Sequence, residues 1–395
     1  MKRFVYALLF TAAVWHAHAQ ENVTYQKPPK EILELVDVQR APSVSMDSKK
    51  QHMLLLYRNA YKSLAELSED EMKLGGLRIN PKTNISSTLT YVNNIRYKRL
   101  RDKEPVQVNG LPANPRLAYF TWSPDESKVA FTNTTETGVE AWVLDIATLK
   151  LTRITEATLN ANIGSPISWL KDSKTMLIKM LPANRAPLIN TALSLPNGPT
   201  VTVSDGSKAQ NRTYQDLLKN KNDEANFETL VTSELYKVGL DGTKTLWRDA
   251  AMHLGASVSP DGNYIMLNTL NKPFSYLVTY DRFPTTIAIY EVGGKPAAVV
   301  AHKPLNEVLP KGFMAVEKGR RSISWRADKT ATLYWAEALD GGDPEVKTEY
   351  RDEVFEWPAP FAGEAKSLVK TINRYAGIIW GNDNYRTIGA LVNIA

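Results

Sequence analysis

Few side chains in this sequence have the type and spacing to do chemistry. Beyond the first twenty residues there are three histidines, His52, His253 and His302, and none falls in His-x-x-x-His or Glu-x-x-His spacing. With no cysteine, thiol nucleophiles, cysteine-based zinc sites, iron–sulfur clusters and disulfides are all excluded. No Gly-x-Ser-x-Gly elbow occurs. The nearest approach, Gly255-Ala256-Ser257-Val258-Ser259, lacks the second glycine. Asp-Gly pairs begin at Asp205, Asp241, Asp261 and Asp340, but without a full Asp-x-Asp-x-Asp-Gly loop they read as turns rather than calcium ligands. Asn22, Asn84, Asn133 and Asn211 stand in Asn-x-Ser/Thr sequons, which matter only in a eukaryotic secretory route. The reading assigns no catalytic residue, no metal and no cofactor, and leaves the substrate-binding residues unknown. Scattered histidines keep a metal-dependent propeller lyase open as a minor alternative.

The ends and the charge bound the surroundings. Lys2 and Arg3, the apolar run from Phe4 to Trp15 and Ala17-His18-Ala19 form a charged, apolar and cleavage-site series. Residues 1–19 are therefore expected to be an export signal, and the mature protein to be periplasmic or secreted. No later stretch reaches 18 unbroken apolar residues, so no membrane partner is expected after cleavage. Removing Lys2 and Arg3 from 48 basic residues leaves 46 against 42 acidic ones, or +4. That balance is too weak to announce a polyanion-binding surface. The basic run Arg96-Tyr97-Lys98-Arg99-Leu100-Arg101 is flanked by Asp102 and Glu104 and reads as a solvated loop or edge strand, not a nucleic-acid site.

Four look-alike segments organise the rest. They begin Thr121-Trp122-Ser123-Pro124-Asp125, Ser168-Trp169-Leu170-Lys171-Asp172, Ser257-Val258-Ser259-Pro260-Asp261 and Ser324-Trp325-Arg326-Ala327-Asp328. Each has a strand end, a turn around an aspartate and a second apolar strand; proline presets φ for the turn and aspartate suits the next position. Further hairpins are predicted over 139–154, 235–247 and 286–300, and a strand pair at 353–357 and 366–371. Leu54–Lys73 is open between strands and a helix. Two hairpins make a four-stranded antiparallel blade, so the expected fold is all-β: a β-propeller. The key residues Trp122, Trp169, Val258 and Trp325 are 47, 89 and 67 residues apart, against roughly 40–50 for a blade. The long interval contains a polar insertion at about 181–227. A β-sandwich with chance similarity among its turns is the competing reading. The tryptophans are expected to form blade-to-blade core rather than a sugar-stacking platform.

The hairpins resemble those of the N-terminal propeller of the prolyl oligopeptidase family of serine peptidases. Leu74-Gly75-Gly76-Leu77-Arg78-Ile79-Asn80-Pro81, and Ile323-Ser324-Trp325-Arg326-Ala327-Asp328 through Trp335-Ala336-Glu337 and Gly341-Gly342-Asp343, are most similar to the glutamyl endopeptidase branch. Tyr25 to Ile32 looks like its N-terminal strap. The resemblance implies a strap over 20–44 and a propeller over 45–395, incomplete, with about five blades and the start of a sixth from Tyr375 to Asn382. It also implies a peptide substrate admitted through the propeller tunnel and an α/β-hydrolase domain that this chain does not contain. The chain is thus expected to be inactive alone. The departure from the family pattern after Tyr385 suggests a frameshift, premature stop or fragmentary gene model. An independent exported scaffold that grips a protein or peptide is the alternative.

Overall fold

The computed structural model describes residues 26–36, 38–190 and 213–381. The proposed signal, Asp205, Asn22 and Asn211 lie outside these residues, as does the chain beyond 381. Two compact units are present, 1–41 and 42–395. The first contributes α1 (Lys30–Val36), none of whose side chains is buried.

The second unit is all-β and bladed, as the repeat required. Blade one is built from β1 (Ser43–Met46) and β2 (His52–Tyr57). An excursion follows, holding α2 (Leu64–Leu67) and the three-stranded sheet β3 (Met72–Leu74), β4 (Leu77–Asn80) and β5 (Ile85–Ser86). The chain then completes the blade with β6 (Asn94–Arg99) and β7 (Val106–Gln107). Blade two is β8 (Leu117–Trp122), β9 (Lys128–Thr134), β10 (Val139–Asp145) and β11 (Leu151–Arg153). Blade three is β12 (Ile167–Trp169) and β13 (Thr175–Met180), then α3 (Lys221–Val231), β14 (Ser233–Gly239) and β15 (Lys244–Ala251). Blade four is β16 (His253–Val258), β17 (Tyr264–Leu270), β18 (Thr285–Glu291) and β19 (Pro296–Lys303). Blade five is β20 (Arg321–Trp325), β21 (Thr332–Ala338), β22 (Asp352–Pro358) and β23 (Lys366–Thr371). All five are separate antiparallel meanders in sequence order, as blades require, rather than the two sheets of a sandwich.

Several expectations are refined. Leu54–Lys73 is mixed: a strand, a single capped helical turn and the start of another strand. Arg96–Arg99 of the basic run lie in β6, paired with β2 throughout and with β7 only at Arg96 and Tyr97, and Leu100 and Arg101 lie in the turn that follows. The excursion in blade three continues to residue 232, since Asn220 caps α3, whose inner face buries Asn226, Phe227, Leu230 and Val231. Residues 375–381 form no strand, yet Trp380 lies edge-on to Tyr334 at 5.0 Å and under the Arg326 guanidinium at 4.0 Å. It therefore covers the face of blade five that a following inner strand would cover. Among the described residues, no helix is long and apolar enough to cross a membrane.

The repeated tryptophan joins neighbouring blades. Trp122 Nε1 donates to Ser45 Oγ at 2.9 Å, Trp169 Nε1 to the Thr121 carbonyl at 3.1 Å, and Trp325 Nε1 to the Ser257 carbonyl at 3.2 Å. Each inner-strand indole thus reaches the inner strand of the blade before it, burying its ring while satisfying its one donor. Blade four has Val258 there and no such donor. Its junction is instead closed by Trp247 Nε1 on the Val292 carbonyl at 3.1 Å. Trp169→Phe trims the bicyclic ring to one and removes the N–H that holds the Thr121 carbonyl of the neighbouring blade, and is expected to lower unfolding free energy by about 1–2 kcal/mol, measured by urea denaturation.

The aspartate turns explain the rest of the repeat. In both Ser-Pro-Asp turns the serine hydroxyl donates to the aspartate at 2.6 Å and accepts the backbone N–H five residues on at 3.0 Å. Burial favours the neutral Asp125 carboxyl, but hydrogen bonds from Ser123, Ser127 and Ser173 outweigh it and hold its pKa well below the ordinary carboxylate range. The turns also touch in succession. Asp125 N–H donates to Ser173 Oγ at 3.0 Å and Asp261 N–H to the Thr330 carbonyl at 3.0 Å.

Candidate functional site

In an antiparallel blade the connections between second and third strands emerge on the face opposite the aspartate turns. Blades one, three and four all carry excursions there, described over residues 58–93, 181–190 with 213–232, and 271–284. Their apolar side chains converge into one cluster with Leu74, Ile79, Phe227, Leu230, Val278 and Phe283 at its centre. Phe227 packs edge-on against Phe274 at 5.2 Å and Phe283 at 5.8 Å. This cap explains the Leu-Gly-Gly-Leu-Arg-Ile segment. Gly75 and Gly76 have φ of +59° and +89°, and a Cβ on Gly76 would stand 2.5 Å from Thr279 Cγ2. The Gly76 N–H donates to the Asp216 carbonyl, the Tyr280 N–H donates to the Gly75 carbonyl, and Arg78 Nε donates to Asp216 Oδ2 at 2.7 Å. The segment is the point where three excursions are tied together.

Beneath the cap, inner strands β8, β16 and β20 are each bulged, with register shifts at 118–121, 253–255 and 321–324. Tyr119 and Ser322 sit at the bulges with φ of 54° and 55°. Such bulges re-aim side chains at the end of a strand. Burial pushes the Tyr119 hydroxyl up to about 12, so it stays a neutral donor, directed at the Ala161 carbonyl at 3.5 Å.

A polar centre lies where the cap meets the connection between blades two and three. Arg185 Nη1 donates to Asn84 Oδ1 at 2.6 Å, and Asn162 Nδ2 donates to the same oxygen at 3.4 Å and to the Leu230 carbonyl at 2.7 Å. Asn160 Nδ2 holds the Leu230 and Thr232 carbonyls. Three buried atoms around this network have no partner among the described residues: Arg185 Nη2, Asn162 Oδ1 and Thr83 Oγ1. No described carboxylate pairs with Arg185, and desolvation alone pushes its pKa down. A guanidinium with a spare N–H and no counter-ion is a receptor for a carboxylate.

The residues singled out by spacing are dispersed. His52 Nδ1 is hydrogen-bonded to the Tyr97 hydroxyl, His253 Nε2 to the Asp249 carbonyl and His302 Nδ1 to Thr286 Oγ1. No group of three potential metal ligands forms among the described residues. Asp241 accepts from Thr243, and Asp340 is taken up by Arg351, Arg374 and the Gly342 N–H. Asn84 and Asn133 are only 4% exposed, so neither sequon is accessible in the fold. Ser257 lies in β16, with a buried hydroxyl that makes no hydrogen bond among the described residues. Arg185 carried no spacing signal; it sits at the start of a polar excursion, and only tertiary contacts mark it.

Comparison with known proteins now bears on this geometry. No family model matches the sequence. Probable glutamyl endopeptidase, chloroplastic, of Oryza sativa subsp. japonica is 33% identical over 376 residues, covering 91% of this chain and 40% of that protein. Its Arabidopsis thaliana namesake is 32% identical over 375 residues, covering 91% and 38%. Among solved structures, Pyrococcus horikoshii acylaminoacyl peptidase overlaps 84% of this chain and 40% of its own, at TM-score 0.38 and 13% identity. The chain spans about two fifths of the length of the curated relatives it matches. Along nine tenths of its residues this bladed chain is thus similar to part of the probable glutamyl endopeptidases.

Proposed function

We propose that this chain is the substrate-gating propeller of an exported serine peptidase, non-catalytic as it stands, working with an α/β-hydrolase domain that cleaves the peptide. Catalysis in the whole protein is acyl transfer through an activated serine. The propeller's task is to admit an unstructured chain and exclude folded proteins. Export is part of the proposal and rests on the N-terminal charge and hydropathy pattern.

The observation that carries the reading is Arg185. It stands half-buried, with its Nη2 sealed from solvent, and without a carboxylate partner among the described residues, at the meeting of cap and blades. The relatives are named for glutamyl cleavage, and a glutamyl side chain supplies the acceptor that this guanidinium lacks. The chain alone is expected to show no turnover of a Glu-containing chromogenic peptide. In the protein assembled with its hydrolase domain, Arg185→Gln is expected to lower kcat/KM for that peptide about 100-fold. The matched Gln peptide should change little. An equal loss on both peptides, or none on either, overturns the role of Arg185. Serine-inhibitor-sensitive cleavage by the chain alone overturns the non-catalytic reading.

A further inference from the structure

A separate cavity of about 550 Å³ opens between blades four and five, within the range of small-ligand sites. Its walls come from β16–β19 of blade four, the start of β20, the Tyr280–Arg282 turn of the cap and the connection that follows β19. The charged residues on them are Asp281, Arg282, Lys303, Glu317 and Arg321. Lys303 and Glu317 pair with each other, and Thr279 Oγ1 donates to Asp281. Arg282 makes no ion pair among the described residues, and its Nε is buried without a partner. Arg321 pairs through Nη2 with Asp352, while its Nη1 is buried and unpartnered. Its side chain is only 9% exposed. The cluster behind it sets Arg321, Arg351 and Arg374 against Asp340 and Asp352, so one positive charge is in surplus. Asn268, also on the wall, has a buried Oδ1 without a donor.

Two unanswered guanidinium donors and one unanswered amide acceptor around one cavity have a chemical complement: a carboxylate with an N–H nearby. We infer that this cavity is a second binding subsite, distinct from Arg185, for the carboxylate of a peptide. The carboxylate requirement stands on the cavity itself. That a peptide brings it rests on the peptidase reading above. The carboxylate comes either from a free C-terminus or from an acidic side chain.

Calorimetric titration of the purified chain separates these sources. The probes are N-acetyl-Ala-Ala, its C-terminal amide, and N-acetyl-Glu-amide. Binding of the first and not the second identifies an α-carboxylate; binding of the third and not the first identifies a side-chain carboxylate; binding of both acids, with the amide at least about tenfold weaker, identifies the shared group. Arg282→Gln, checked for an unchanged circular dichroism spectrum, is expected to weaken the bound acid about tenfold or more. Arg185→Gln removes the other candidate guanidinium, so the titrations are repeated in that variant, and the acid still bound there is the acid held at this cavity. No binding of either acid, equal binding of acid and amide, or loss in Arg185→Gln with retention in Arg282→Gln overturns the site. That last outcome leaves the role of Arg185 standing, so the two readings fail separately.

Discussion

Asp352→Asn is expected to lower the unfolding free energy by about 3–5 kcal/mol, the cost of breaking a buried pair and stranding its partners. Asp352 is 0% exposed. It accepts from Arg321, from Arg374 Nη1 at 3.0 Å and from the Tyr375 N–H at 2.5 Å. Arg374 also donates to Asp340 Oδ2 at 2.7 Å and to the Met314 carbonyl at 2.8 Å. The cluster therefore ties the start of blade five, its central connection, the loop before it and the chain leaving β23. Asparagine keeps the shape but removes the charge that two buried guanidiniums require. Urea denaturation monitored by tryptophan fluorescence measures the loss. A change under about 1 kcal/mol would show that solvent reaches these arginines and that the cluster does not hold blade five.

Lys179→Met is expected to remove a rise in stability between pH 7 and 10.5. Lys179 lies in β13, fully buried, and its ammonium donates to the Ile163 carbonyl and, at 3.5 Å, to those of His253 and Leu254. Desolvation pushes its pKa down to about 7 from 10.5. Between those values the unfolded chain holds a proton that the folded chain has released, so stability increases with pH. The full shift corresponds to about 5 kcal/mol. Below pH 7 both states are protonated and this contribution is flat. Methionine also surrenders the hydrogen bonds to the carbonyls, so the informative quantity is the difference between wild-type and variant stability as a function of pH. Parallel curves from pH 7 to 10.5 would refute the assignment. His253 acts in the same direction at the acid end. Burial foremost, opposed by its bond to the Asp249 carbonyl, lowers its pKa to about 4, so stability declines as pH falls from 6.5 toward 4.

The blades were legible because their signals are local. A Ser-Pro-Asp turn closes its own hydrogen bonds within six residues, and β-branched and aromatic runs on either side have nothing better to do than pair. Trp122, Trp169 and Trp325 could be read as junction residues for the same reason: a strand that ends in an indole at each repeat must seat it against a neighbouring sheet, here the preceding one. Gly75 and Gly76 stood out as a motif, but their cause did not, because the atoms that forbid a Cβ belong to Thr279, some 200 residues further along. Arg326, also prominent in the sequence, acts through Asp328 beside it and through Glu356 across the blade.

The sequence by itself determined the bladed architecture, the turn chemistry and the lack of a nucleophile elbow, since each is written in contiguous residues. Only the tertiary structure decided that three separate excursions form one cap, and that Arg185 and Arg282, each half-buried with one sealed nitrogen, have no carboxylate partner among the described residues. Burial and pairing of a charge depend on what distant segments bring to it, and no local pattern encodes an absent partner.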